Sequence, residues 1–133
     1  MRDLSKNKEL LTRAYKVIPG ASQTFSKAPD QWPGQISPNF IQKGEGAWVW
    51  DVDGNKYLDY LMALGPIILG YQDVDVDSAV IKQIKSGPIF SQMHPLEVEV
   101  AEKIVDLIPG AEMVRFAKNG SDVTAAAVRV ARA

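Results

Sequence analysis

The sequence predicts an incomplete α/β fold, and three observations lead to that prediction. Residues 113–133 have the pattern of a buried strand, a tight polar turn and the opening of a helix. Residues 47–60 place aromatic and β-branched side chains on both sides of an Asp-Gly-Asn turn, which is typical of a β-hairpin. Because a strand of a parallel sheet buries both faces, the strand at residues 113–117 needs neighbours that the rest of the sequence does not supply.

The predicted elements are, in chain order, a helix, a hairpin, two helices, a strand and a helix. Apolar residues recur at helical spacing over residues 4–18, and a Pro-Gly pair ends that helix. Residues 21–39 are rich in Ser, Pro, Gly and Gln, so we expect an irregular connection that is either functional or disordered. The second helix covers residues 75–86, and the third begins at Pro95.

The last helix begins in a polar turn, Asn119-Gly120-Ser121-Asp122, which supplies a cap and an acidic first turn. The free backbone N–H groups and the positive dipole end of such a helix suit a phosphate group. On local sequence alone, the same residues also fit a plain strand-to-helix turn with an N-cap. The helix is expected to be truncated, because the sequence carries no signal that ends it.

Composition and charge exclude several classes of protein. The 133 residues carry a net charge of −1, so there is no electrostatic case for binding nucleic acid or an anionic membrane. The absence of cysteine excludes a disulfide framework and a thiolate metal site. The first residues lack the apolar stretch of a signal peptide, and the longest apolar run, residues 61–69, is too short to span a bilayer. We therefore expect a soluble, cytoplasmic protein.

Other candidate sites have simpler explanations. His94, which precedes a proline, fits a helix cap better than a catalytic histidine. Residues 51–55 are similar to the start of a calcium loop, but the glycine comes too early and loop position twelve is not glutamate. The aspartates at positions 73, 75 and 77 favour a helix N-terminus. We predict no metal site.

Five blocks of sequence point to a known family when they are taken together: residues 18–27, 44–60, 64–70, 95–102 and 114–121. In this order and spacing they resemble the N-terminal part of fold-type I, class III aminotransferases that depend on pyridoxal 5′-phosphate (PLP). The resemblance is strongest to the glutamate-1-semialdehyde aminomutase-like branch. Each block alone is common in proteins, but the ordered set is specific.

The resemblance implies two regions. Residues 1–90 would form an N-terminal subdomain of helix, loop and hairpin, and residues 91–133 would begin the PLP-binding large domain and stop within a helix. The activity implied for the intact enzyme is the movement of an amino group through Schiff-base intermediates, on a small substrate with an amino or keto group.

The resemblance also implies the cofactor site. Relatives cradle the PLP phosphate with a turn usually written Ser-Gly-Thr, and the matching residues here are Asn119, Gly120 and Ser121. Glycine still permits a close approach of the backbone, and Ser121 keeps a hydroxyl group. The asparagine is similar to a variant found in relatives tied to sugar amination, which weakens the assignment to a strict aminomutase.

The matching substrate positions are Thr24, Lys27 and Leu64. The first two lie where the aminomutase pattern has a serine and an arginine that meet the substrate carboxylate. Lysine pairs with a carboxylate as a point charge, without the bidentate fork of arginine, which leaves room for a substrate other than glutamate semialdehyde. Leu64 lies where relatives often carry an aromatic side chain, so the pocket wall would be flatter and less specific.

The sequence predicts no catalytic residue within this chain. The family's Schiff-base lysine, its aspartate at the pyridine nitrogen and its stacked aromatic ring all lie beyond the position that matches Ala133. The chain alone is therefore expected to be inactive. The family is typically homodimeric, and the hairpin with Trp48 and Trp50 on one face is a candidate interface.

Two alternatives stay open. The first is a non-catalytic remnant, or a short protein that binds a full-length relative. The second is a free-standing anion-binding module that uses Gly120 and Ser121.

Overall fold

A computed structural model describes residues 2–34 and 36–133, which divide into two compact units, Met1–Lys85 and Ser86–Ala133. The helices and strands are α1 (Ser5–Val17), β1 (Ile41–Glu45), β2 (Trp48–Asp51), β3 (Lys56–Leu58), α2 (Val74–Ser86), α3 (Pro95–Leu107) and α4 (Gly120–Arg132). Short 3₁₀ turns lie at Pro19–Ala21, Phe25–Lys27, Pro29–Gln31 and Met62–Leu64. No helix in the described part of the chain is long and apolar enough to cross a membrane.

The four predicted helices are confirmed, because α1 to α4 begin and end within a residue or two of their expected bounds. The irregular connection at residues 21–39 contains only short 3₁₀ turns where it is described; residue 35 lies outside the described residues. This connection forms no longer helix or strand where it is described, because it is rich in proline, glycine and serine, which interrupt both.

The sheet has three antiparallel strands in the order β1-β2-β3. The predicted hairpin is confirmed as β2 and β3, with Val49 opposite Tyr57, and Gly54 adopts a φ of 87° in the turn between them. Strand β1 was not predicted. It contains a single β-branched residue and a glycine, so its pairing with β2, and not a pattern of its own, makes it a strand.

One face of the sheet carries Trp48 and Trp50, which lie two residues apart on β2. The ammonium group of Lys56 lies 4.2 Å from the centre of the Trp48 ring, and that of Lys43 lies 4.7 Å from the Trp50 ring. These distances are within the range of cation–π attraction. The lysine side chains therefore cover part of this aromatic face, although Trp48 stays 41% exposed.

The hairpin turn between β2 and β3 holds the start of α1 through the side chain of Asp53. The N-cap residue of α1, Leu4, offers no side-chain acceptor, and the Asp53 carboxylate accepts hydrogen bonds from the N–H groups of Lys6 (2.8 Å) and Asn7 (3.0 Å) instead. Partial desolvation opposes ionisation of Asp53, but the hydrogen bonds from Asn7 and Lys6 outweigh it and hold its pKa below the usual value. The hairpin turn thus caps a helix that lies 46 residues earlier in the chain.

Asn7 joins three segments of this unit. Its side-chain nitrogen donates to Asp53 (2.8 Å), and its side-chain oxygen accepts from the N–H groups of Asn39 (3.0 Å) and Phe40 (2.9 Å). Only 1% of the residue is exposed, so each of these groups depends on the others for its hydrogen bonds. The residue links α1, the hairpin turn and the start of β1.

Asp51 organises the hairpin turn itself. Its carboxylate accepts from the N–H groups of Asp53 (3.0 Å) and Asn55 (2.8 Å) and from the hydroxyl of Tyr57 (2.9 Å), and 1% of the residue is exposed. Burial raises the pKa of Tyr57 to about 12, and the hydrogen bond to the Asp51 carboxylate adds to the rise. The residues that are similar to a calcium loop therefore serve as a turn.

The second unit contains α3 and α4. His94 caps α3: its Nδ1 accepts from the N–H of Leu96 (3.2 Å), and the Glu97 carboxylate accepts from the N–H of His94 (3.1 Å). This is a capping box, which confirms the interpretation of His94 as a cap.

The predicted strand at residues 113–117 is wrong for this structure, which gives that segment no regular secondary structure. Its apolar pattern suits a buried strand, but no strand of the described residues pairs with it. A strand forms only when its backbone N–H and C=O groups pair with a neighbouring strand. Without such a partner, the apolar pattern of this segment is not enough to make it a strand.

We expect the Asn7→Ala substitution to lower the free energy of unfolding of the first unit by about 1–3 kcal/mol, because the N–H groups of Asn39 and Phe40 lose their buried acceptor. Urea unfolding followed by tryptophan fluorescence measures this, since all three tryptophans precede Lys85. Glu9→Ala is the control on the same helix, because Glu9 makes only an exposed ion pair; we expect a change within about 0.5 kcal/mol. Equal effects of the two substitutions would contradict the anchoring role.

We expect the first unit to lose stability as the pH rises from about 10 to about 12. The unfolded Tyr57 releases its proton near pH 10, whereas the folded residue keeps it to about pH 12, so the folded state binds more protons in this window. Tyr57→Phe removes this contribution, and its free energy of unfolding should fall less steeply over the same range. Parallel curves for the two proteins would disprove the assignment.

Candidate functional site

The start of α4 presents backbone donors that meet no acceptor among the described residues. The side-chain oxygen of Asn119 accepts from the N–H of Asp122 (3.2 Å), and its carbonyl oxygen accepts from the N–H of Val123 (3.2 Å). The N–H groups of Gly120 and Ser121 precede these and donate to no acceptor among the residues that the structure describes. With the positive end of the helix dipole behind them, these two groups can bind an anion.

The space in front of these donors is open. A Cβ atom added at Gly120 would meet no atom within 4 Å, so the backbone is accessible to a ligand. The exposed hydroxyl of Ser121 is a further donor beside the two N–H groups. Along α4 the surface continues as an open depression, lined by Gly120, Ser121, Thr124, Ala125, Val128, Arg129 and Arg132. These donors fit a phosphate group, and Asn119 is occupied as the cap.

Thr24 and Lys27 lie together in one 3₁₀ turn of the first unit. The carbonyl oxygen of Thr24 accepts from the N–H of Lys27 (3.0 Å) and from the hydroxyl of Ser22 (2.9 Å), which hold the loop in shape. Both predicted substrate residues are exposed. Thr24 also lines a concavity beside the end of α1, together with Tyr15, Pro19, Gly20, Ser22, Phe25, Ala28, Pro29 and Asp30.

Leu64 belongs to a turn with an uncommon backbone conformation. Met62, Ala63 and Leu64 have φ angles of 49°, 52° and 70°, and Gly65 follows at 112°. Left-handed backbone costs a residue with a Cβ atom roughly 1–2 kcal/mol, and here three such residues are consecutive. A conformation of this kind persists only where the surrounding structure enforces it. Leu64 is half exposed on this turn, at residues 62–65.

Asp59 holds the start of that turn. One carboxylate oxygen accepts from the N–H groups of Leu61 (3.0 Å) and Met62 (3.1 Å), and the other accepts from the hydroxyl of Tyr71 (2.7 Å). Burial favours the neutral acid, but the hydrogen bonds from Tyr71 and the backbone outweigh it, so the pKa of Asp59 lies below its usual value. Burial, then the hydrogen bond to Asp59, raises the pKa of Tyr71 to about 12. The pair therefore stays a carboxylate and a neutral phenol across the physiological range.

Tyr71 is itself fixed to the sheet. Its backbone N–H donates to Gly46 (2.8 Å), and its carbonyl oxygen accepts from the N–H of Gly46 (2.9 Å). The aromatic ring lies directly on the backbone of Gly44, where a Cβ atom would overlap it. The backbone N–H of Asp59 donates to Ala47 (2.9 Å). Both members of the Asp59–Tyr71 pair are thus bonded through their backbones to the turn between β1 and β2.

The predicted site residues lie in both units. Thr24, Lys27 and Leu64 belong to the first unit, and Asn119, Gly120 and Ser121 belong to the second. Sequence reasoning missed Asp59 and Tyr71, because a single aspartate and a single tyrosine twelve residues apart form no recognisable pattern. The one available signal was that Asp59 lies two residues before the apolar run at 61–69, where a loop needs an anchor.

Solved structures show the class of fold. The chain superposes on the Sphingopyxis sp. MTA144 FumI protein, solved in its PLP internal aldimine form, with a TM-score of 0.88 and 34% sequence identity over 96% of this chain and 30% of that one. An omega-transaminase from Sphaerobacter thermophilus matches with a TM-score of 0.86 and 29% identity, over 96% of this chain and 28% of that one. The predicted α/β fold class, that of the N-terminal region of fold-type I PLP transferases, is confirmed.

The family follows from sequence. The family model for class-III aminotransferases matches residues 30–133, so the chain belongs to that family. Glutamate-1-semialdehyde 2,1-aminomutase from Francisella philomiragia is 40% identical over 100% of this chain, and the enzyme of that name from Acetivibrio thermocellus is 43% identical over 97%. The chain spans about three tenths of the length of these curated relatives, since 30% of each is covered. The resemblance drawn from the five sequence blocks is confirmed.

We expect Gly44→Ala to destabilise the first unit by about 1–3 kcal/mol, because the new methyl group and the Tyr71 ring compete for the same space. Urea unfolding followed by tryptophan fluorescence measures the change. Gly34→Ala is the matched control, since a Cβ atom there meets no atom within 4 Å, and it should alter the free energy of unfolding by less than about 0.5 kcal/mol. If Gly44→Ala leaves the free energy of unfolding unchanged, the contact of the Tyr71 ring with the Gly44 backbone does not stabilise the unit.

Proposed function

We propose that the protein that carries this sequence is a PLP-dependent aminotransferase or aminomutase acting on a small amino or keto substrate. Residues 1–133 would supply the turn that holds the cofactor phosphate and one side of the substrate pocket. Membership of the class-III aminotransferase family supports the activity. The observation that carries the cofactor role is that the N–H groups of Gly120 and Ser121, at the start of α4, meet no acceptor in the part of the chain that the structure describes.

The chemistry comes from the cofactor: PLP, when bound, acts as an electron sink that lets an amino group move between the substrate and the cofactor. In this chain, the N–H groups of Gly120 and Ser121 and the Ser121 hydroxyl would donate to the phosphate oxygens, aided by the dipole of α4. Asn119 keeps its position as the helix cap, which fixes the direction of those donors.

The substrate side would be formed by the first unit. Lys27 would attract an anionic group of the substrate as a point charge, and the neighbouring Thr24 hydroxyl would donate or accept a hydrogen bond. Leu64 would supply an apolar wall. A lysine in this role binds a carboxylate with less directional control than an arginine does, so we propose a broader substrate range than that of a strict aminomutase.

We also propose the partner and the location. A homodimer would use the face of the sheet that carries Trp48 and Trp50, where aromatic side chains and lysine stems offer contact area. A cytoplasmic location agrees with the cysteine-free sequence. The alternative is a non-catalytic chain that binds a full-length relative.

The first test is the coding sequence that follows Ala133. A reading frame that continues to a loop with a Schiff-base lysine supports the enzyme. The product of that whole frame is the complete protein. The purified complete protein should then show the visible absorbance band of protein-bound PLP. A stop codon after Ala133, together with no such band when PLP is added to the purified chain, would exclude the enzyme and favour the alternative.

We expect Gly120→Ala to raise the dissociation constant for PLP in the complete protein roughly tenfold, equivalent to about 1.4 kcal/mol. Alanine favours a helix and meets no neighbour at this position, so folding is kept, but the methyl group occupies space that the phosphate needs. Ser121→Ala should weaken binding a few-fold, as the loss of one hydrogen bond of about 1 kcal/mol requires.

Val130→Ala is the control for both variants, because Val130 is an exposed residue at the far end of the same helix. Its dissociation constant for PLP, measured by absorbance titration, should equal that of the unmodified protein. If Gly120→Ala and Val130→Ala bind PLP equally well, the start of α4 does not hold the phosphate.

A further inference from the structure

The turn at residues 62–65 is the most strained segment among the described residues. Three consecutive residues with Cβ atoms, Met62 to Leu64, have left-handed φ angles, whereas the others with positive φ, Ala21 (57°) and Gln72 (59°), are isolated. Its internal hydrogen bonds, such as Leu64 N–H to Leu61 C=O (2.8 Å) and Ile67 N–H to Met62 C=O (3.2 Å), close the turn. Such bonds hold the turn's shape but do not attach it to the sheet.

The attachment to the sheet is made by Asp59. Its carboxylate accepts from the N–H of Leu61, just before the turn, from that of Met62, its first residue, and from the Tyr71 hydroxyl at the other end of the loop. Asp59 and Tyr71 are both bonded through their backbones to the β1–β2 turn. One carboxylate therefore joins the two ends of the loop, and the strained residues 62–64 lie between those ends.

We propose that Asp59 is a positioning residue for substrate binding: by holding the turn at residues 62–65 in its left-handed form, it sets where Leu64 lies. This inference rests on the proposed function, because it assigns Leu64 to the substrate pocket. Without the carboxylate, the backbone of residues 62–64 relaxes to right-handed or extended conformations, which carry the Leu64 side chain to a different place.

Leu64 does not contact Asp59 in any hydrogen bond, so the effect of Asp59 on substrate would be indirect. Indirect action has a measurable signature. If Asp59 acts only through Leu64, then its removal has no further effect on substrate affinity once Leu64 has been truncated. A residue that merely stabilises the fold would not show this dependence.

The experiment uses the complete protein and the variants Asp59→Ala, Leu64→Ala and their combination. The apo proteins are first compared by amide hydrogen exchange. We expect Asp59→Ala to increase exchange at residues 61–65 at least tenfold and to leave α1 unchanged. The PLP-loaded proteins are then tested with a panel of amino acids and simple primary amines, and kcat and KM are measured for the best donor.

We expect Asp59→Ala to raise KM roughly tenfold with kcat changed less than about threefold, and the double variant to match Leu64→Ala. Tyr71→Phe keeps the ring on Gly44 and removes only the hydroxyl, so it should give a smaller change of the same kind; it also serves if Asp59→Ala does not fold. Asp59→Asn retains an acceptor for the two N–H groups and should restore most of the loss.

Several results would overturn the inference, and they differ from a failure of the proposed function. Unchanged exchange at residues 61–65, or effects of Asp59→Ala and Leu64→Ala on KM that simply add, would show that Asp59 does not position Leu64. The absence of the PLP absorbance band from the unmodified complete protein would overturn the proposed function and the inference together.

Discussion

The hydrogen bonds that the carboxylate of Asp53 accepts from the start of α1 are the constraint on which the first unit depends. The buried apolar residues of the described chain are few and mostly small, namely Leu4, Ala14, Ala21 and Val49. A core of that size provides little hydrophobic free energy. The polar bonds among Asn7, Asp51 and Asp53 therefore determine how α1, the hairpin and the start of β1 fit together.

The local sequence pattern predicts the helices of this fold but not which segments pair as strands. The helices were predictable because each carries apolar residues at helical spacing and a punctuating Pro, Gly or cap residue at its ends, as His94 does for α3. The prediction was wrong in opposite ways for strand β1, which it missed, and for residues 113–117, where it placed a strand that does not form. The first lacks a strand pattern and forms a strand because β2 pairs with it, while the second has the pattern but no partner.

The candidate site divides in the same way. The turn at Asn119, Gly120 and Ser121 was predictable, because a cap residue, a glycine and a hydroxyl at a helix start have direct chemical meaning. The Asp59–Tyr71 pair was not, since its members are brought together by the sheet and by the absence of a side chain at Gly44. A contact that depends on backbone approach in another strand leaves no trace in the spacing of the residues that make it.

The capping of α1 by Asp53 also bears on the order of events during synthesis. The helix leaves the ribosome 46 residues before the side chain that caps it. At about 5–20 residues per second, that separation corresponds to roughly two to nine seconds. A helix of 13 residues is marginally stable by itself, so during this interval α1 exists mainly as a fluctuating segment. The N-terminal helix is thus first in the chain but among the later elements of its unit to become fixed.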